Sequence, residues 1–176
     1  RVPRSTVALT LAPAAIERLR FLARVADKEA RHLALTTERL FTSPFTPERV
    51  AELEQVPDLA ERVDAFVSRF GRLQDTLGDK LLPVLLTALG EKTGPVIDNL
   101  DRAERLGLIP SAEQWMEMRK LRNQMVHDYV EDPLVLADAL ETAHGFIPVL
   151  RDVADRLGGE IERRGWITTG EASGNG

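Results

Sequence analysis

Apolar residues recur three and four positions apart along almost the whole chain, and alternating or β-branched runs bounded by turns are nearly missing apart from VALTL near the start. That repeat buries one stripe of a helix, so the spacing predicts an all-α fold. A first helix follows Pro13 and runs through AAIERLRFLARVADKEARHLALTTERL, with Ile16, Leu19, Leu22, Ala23 and Ala26 as its stripe, and TSPFTP breaks it. Thr46 before Pro47 starts the next, because proline loses no hydrogen bond at the first helical position, and Pro57 bends or restarts that segment. From Asp58 to Leu89 the face Val63, Phe66, Val67, Phe70, Leu73 and Leu77 forms the longest core pattern; Pro83 inside it predicts two helices or one kinked helix. Pro95 opens PVIDNLDRAERLG, Gly107 ends it, and Ser111 with Gln114 forms a capping box before WMEMRKLRNQMVHDY. Glu131, Asp132 and Pro133 stop that helix and start the last, which runs past Pro148 to Gly158 or Gly165. Short connections imply antiparallel neighbours, hence an up-and-down bundle of about four or five helices.

A length of 176 residues suits one hydrophobic core, expected over residues 1–165, with 166–176 as a polar, disordered tail. No apolar run reads as long enough to cross a bilayer, and the first residues lack the pattern of a secretory signal, so the cytoplasm is the expected location and no membrane is expected as a partner. The chain has no cysteine, which excludes disulfides, thiolate zinc sites and a cysteine nucleophile. His32, His127 and His144 lie far apart, so neither metal nor cofactor is expected. A net charge of −5 argues against coating nucleic acid through a broad basic surface; any such contact must be local or shared with a partner.

Along the helix that ends in LRNQMVHDY, turning each residue by about 100° puts Trp115, Met118, Met125, Val126 and Tyr129 on one apolar stripe, with Arg122 in its middle. The methionines alternate with Trp115 at core spacing, which favours packing over a cofactor pocket. A buried guanidinium keeps its charge, at a cost of roughly several kcal/mol unless an anion meets it. That anion is either a core carboxylate, Asp75 or Asp98, with His127 simply ending a helix, or a phosphate brought by a substrate. His127 lies four residues after Asn123, so the two share one groove.

The run RNQMVHDY resembles the signature of the HEPN superfamily, and within it the HepT-like branch, whose motif reads Arg-Asn, three residues, His, one residue, Tyr. Arg122, Asn123, His127 and Tyr129 match every position. The resemblance implies a HEPN-like helical fold, a homodimer whose motif helices line a shared cleft, and a metal-independent ribonuclease with Arg122 and His127 as catalytic residues. Members of this branch are commonly toxins paired with a small nucleotidyltransferase antitoxin that can attach AMP to the motif tyrosine, here Tyr129. RNA carries its own nucleophile, the 2′-hydroxyl, so the protein needs to move protons and stabilise charge at phosphorus. Imidazole titrates in the right range for the first task, and the planar guanidinium fork suits the second. Asn123 would orient His127 or hold a ribose. Five residues of separation set Arg122 and His127 about 140° apart around one helix, so the site needs a second copy to supply one of the groups or a helix that frays by His127. A different class of function fits the same fold: a non-catalytic HEPN subunit that binds nucleotide or substrate for a partner nucleotidyltransferase.

Other features carry less. Arg69, Arg72, Gln74 and Asp75 are polar positions in an apolar segment, readable as a solvated face or, for Asp75, as an arginine partner. GEKTG and LGDK lack the full glycine, lysine and hydroxyl spacing of a phosphate-binding loop and have no strand before them. His32 and His144 lie on ordinary helices.

Overall fold

The computed structural model describes residues 11–127 and 132–166. They form six helical segments, four of them long, and no strand among the described residues. Helix α1 spans Pro13–Leu40, α2 Pro47–Ala51, α3 Pro57–Asp75, α4 Leu82–Ala88, α5 Val96–Arg105, α6 Ala112–His127 and α7 Pro133–Arg163. Because a π-helical turn, Thr76–Leu81, joins α3 to α4, those two are one continuous segment. The count exceeds the four or five expected because Thr46 and Pro47 begin a short helix that stops before Pro57.

The local signals act where the sequence places them. Proline stands in the first turn of α1, α2, α3 and α7, the Thr46 hydroxyl accepts from the Arg49 amide at 3.2 Å, and Asp132 accepts from the Leu134 amide at 2.9 Å. Ser111 Oγ caps α6 by accepting from the Gln114 amide at 3.1 Å. Gly107, at φ 74°, ends α5 and lets the Leu108 amide reach back to the Ala103 carbonyl at 2.8 Å.

Pro83 does not interrupt its helix. The amide of Leu82 reaches five residues back to the Leu77 carbonyl, a widened turn immediately upstream that absorbs the proline without a break.

Three pairs of helices run antiparallel. Arg20 near the start of α1 donates to the Trp166 carbonyl after α7 at 2.7 Å, while Phe41 at the other end of α1 stacks on His144 at 4.0 Å. Arg69 of α3 donates to the His32 carbonyl and Thr36 hydroxyl of α1, and Glu29 of α1 faces Thr76. Gly71 lies under Arg122 and Gly78 under Trp115, which sets α6 antiparallel to α3 and its π turn. Phe66, Phe70, Leu77, Leu85, Met118, Leu140 and Leu157 are fully enclosed between these layers.

Two expectations change. Trp166 is buried, returned to the core by Gly165 at φ 72° and by its amide bond to the Ile161 carbonyl, so the packed region extends one residue beyond 165; residues 167–176 lie outside the described residues. By length and composition α7 is apolar enough to cross a membrane, with a mean hydropathy of 1.2 over its most apolar stretch, contrary to the reading that no run is. In this structure Leu136, Leu140, Ala143, Leu150, Val153, Leu157 and Ile161 of that helix face the core, a pattern that a core helix also gives.

Candidate functional site around Arg122

The buried residues of α6 are Ala112, Trp115, Met118, Leu121 and Met125, and Arg122 lies on that face between Met118 and Trp115, as its spacing predicts. Its side chain is nevertheless only half-buried, with its stem over Gly71, and Val126 is 52% exposed where the sequence placed it in the core. The guanidinium meets a carboxylate of α3. Arg122 Nη1 donates to Asp75 Oδ1 at 2.6 Å, with the two side chains 36% and 33% exposed. Of the two carboxylates considered, Asp75 fills the role; Asp98 is exposed at the start of α5.

Glycine makes this approach possible. A Cβ on Gly71 would lie 2.9 Å from Arg122 Nε, and one on Gly78 would lie 2.7 Å from Trp115 Nε1. The arginine stem and the indole thus lie directly on the backbone of α3 and its π turn. One turn along, Arg119 and Asp79 form a second, looser pair at 3.7 Å. Solvent screens both pairs, so each contributes on the order of 1 kcal/mol or less.

Two polar groups beside this seam read differently in the structure. Gln74 shares the α3 face of Gly71 and Gly78; it is 2% exposed, and neither amide atom has a hydrogen-bond partner among the described residues. It is not part of a solvated face, and Asp75 and Arg69 are engaged by α6 and α1, which leaves Arg72 as the exposed member of that group. Glu29 went unnoticed in the sequence, although its spacing between Ala26 and Leu33 assigns it to the buried face of α1. Burial pushes its carboxyl above the usual glutamate range; the Thr76 hydroxyl, Lys80 and Arg72 oppose that rise, and Asp75 adds to it. Its Oε2 is buried without a hydrogen-bond partner among the described residues.

Asn123 and His127 are exposed, and no hydrogen bond joins them among the described residues. His127 closes α6 on the side away from Asp75, so the described part of one chain does not bring it to Arg122. Tyr129 lies outside the described residues. Neither the cavity between α1 and α7 nor the one between α1 and α3 is lined by Arg122, Asn123 or His127. Among the described residues no three His, Asp or Glu side chains cluster to hold a metal ion. His32 contributes its carbonyl to Arg69 and His144 its ring to Phe41.

Comparison with protein-family models, with curated proteins and with solved structures finds no match for this chain. The functional reading rests on the residues of α6 and their surroundings.

Proposed function

We propose that the chain is a HEPN-fold, HepT-like endoribonuclease toxin that cuts RNA without a metal, at a site shared between two copies. The observation that carries this reading is the presentation of the motif. Arg122 is half-exposed and engages Asp75 through a single nitrogen, while Asn123 and His127 stand open on the last turn of the same helix. A guanidinium held in this way keeps donors for the non-bridging oxygens of a phosphodiester. Val126, Leu134 and Val135 are exposed apolar residues at the facing ends of α6 and α7, a surface that a second copy would cover.

In this mechanism His127 takes the proton of the 2′-hydroxyl as that oxygen bonds to phosphorus. The bond from phosphorus to the 5′-oxygen breaks, and His127 of the second copy, in its protonated form, gives that oxygen a proton. The products are a 2′,3′-cyclic phosphate and a 5′-hydroxyl, and Arg122 meets the charge that gathers at phosphorus. Asn123 and Tyr129 support these groups. A cognate minimal nucleotidyltransferase acts as antitoxin by attaching AMP to Tyr129, which adds negative charge to the motif and repels RNA. Both act in the cytoplasm.

The test is incubation of the purified protein with labelled RNA in excess chelator, beside Arg122→Ala and His127→Ala. Cleavage that leaves a cyclic phosphate and is lost in both variants is expected; equal cleavage by parent and variants overturns the assignment. One observation favours a second reading, a non-catalytic subunit that binds nucleotide or substrate for its nucleotidyltransferase: Asp75 already supplies Arg122 with an anion. Under that reading the parent protein leaves RNA intact in the same assay.

A further inference from the structure

A groove of about 340 Å³ between α1 and α3 gathers three guanidiniums, those of Arg39, Arg62 and Arg69. Arg69 is fixed in place, since its Nη1 donates to the His32 carbonyl at 3.1 Å and to the Thr36 hydroxyl across the groove. Arg39 and Arg62 have no carboxylate within ion-pair distance among the described residues, although Asp58 and Glu61 line the same groove. By contrast Arg31, Arg119, Arg122, Arg156, Arg163 and Arg164 each have one. On a chain of net charge −5, three guanidiniums against the carboxylates of Asp58 and Glu61 leave this one concave surface net positive, a local anion site. The two wall carboxylates narrow the ligand further. They accept hydrogen bonds from sugar hydroxyls and repel a bare polyanion, so phosphate alternating with ribose fits the groove better than phosphate alone.

The groove leads toward Arg122 around α3. Arg62, Arg69 and Arg72 succeed one another along α3 toward Asp75, which holds Arg122, and the row turns about 140° from the α1 side of the helix to its α6 side. From Arg62 to Asp75 the helix rises about 20 Å, so a strand stacked at about 3.4 Å per nucleotide needs at least about six nucleotides to follow that path. We infer that this groove binds the ribose–phosphate backbone of single-stranded RNA several nucleotides from the linkage that Arg122 and His127 act on. The inference rests on the ribonuclease reading for its substrate class.

The test uses the non-cleaving His127→Ala protein and a fluorescent single-stranded RNA long enough to span both sites, titrated by anisotropy over a range of salt. Adding Arg39→Gln and Arg62→Gln is expected to weaken binding at least ten-fold, and to lower the dependence of log affinity on log salt by about 1.4, at about 0.7 per lost phosphate contact. Arg24→Gln with Arg105→Gln removes the same charge elsewhere on the surface and controls for net charge. Equal affinity of the groove variant and its parent, or an equal loss in the control, overturns the inference even if the parent enzyme cuts RNA. Groove-dependent binding by a chain that never cuts RNA sinks the catalytic reading and leaves the groove assignment standing. Absence of any RNA binding overturns both.

Discussion

From Ala112 to Leu121, α6 encloses Trp115 and Met118 completely and presses an indole onto Gly78; from Arg122 to His127 the same helix keeps only Met125 in the core and shows Asn123, Val126 and His127 to solvent. The first half is held by packing that tolerates little change. The second meets α3 through one screened ion pair and an arginine stem lying across Gly71. A rigid root with an open tip is an economical way to present polar groups, because the ordering of the tip is set by the root and the tip's own residues remain available to a ligand.

Four substitutions break or sharpen that contrast, and thermal or urea unfolding reads each of them. Trp115→Ala removes the largest side chain of the anchored half and is expected to cost about 3–5 kcal/mol, as deletion of a buried aromatic does. Gly78→Ala places a methyl group against that enclosed indole, which has nowhere to go, and is expected to cost about 1–3 kcal/mol. Gly71→Ala makes a similar clash on paper, 2.9 Å against 2.7 Å, yet here the neighbour is a flexible arginine. Stability should change by less than about 1 kcal/mol, since the gain in helix propensity offsets the contact, while displacement of Arg122 lowers RNA cleavage. Val126→Asp, on the open half, should leave stability within about 0.5 kcal/mol and, if the proposed dimer forms through this surface, shift sedimentation from dimer to monomer. A large loss of stability in either open-half variant would show that the two halves are not so different.

The smallest effect concerns Glu29, behind the seam. Its carboxyl holds a proton more tightly in the folded chain than in the unfolded one, so the folded state binds more protons between the ordinary glutamate value of 4.5 and the raised one. Stability falls as pH rises through that window. Glu29→Gln should flatten this slope and raise stability at neutral pH, as unfolding measured across pH will show; an unchanged slope would mean that Thr76, Lys80 and Arg72 fully compensate the buried charge.

What could be read from the chain alone divides along physical lines. Pro13, Thr46, Pro57, Ser111 and Asp132 mark true helix starts because capping depends on neighbours in sequence, and Asp75 was among the named partners for Arg122. Arg122 lies within the stripe that its register assigns, but Val126 does not, because Leu121 and Val126 compete for the core and only the neighbouring helices decide between them. Burial of Gln74 and Glu29 was missed for a related reason. Each occupies a core-facing register, but polarity outweighed register, and only the approach of α6 or α1 settles the matter. The π turn left no sequence signal beyond Pro83, which predicted a kink where the chain takes in a widened turn instead.

That turn has a consequence for how the chain tolerates length changes. One residue more than an α-helix would use separates Asp75 from Leu82, so the rotational phase of α4 is set by it. Deleting a single residue between Thr76 and Leu81, at exposed Asp79 or Lys80, would restore an ordinary helical winding and leave the phase of α4 nearly unchanged. The same deletion in a regular turn of α3 would swing α4 by about 100° and carry Leu82, Leu85 and Leu86 off the positions where they are now enclosed, so the π turn should be the more forgiving place to lose a residue.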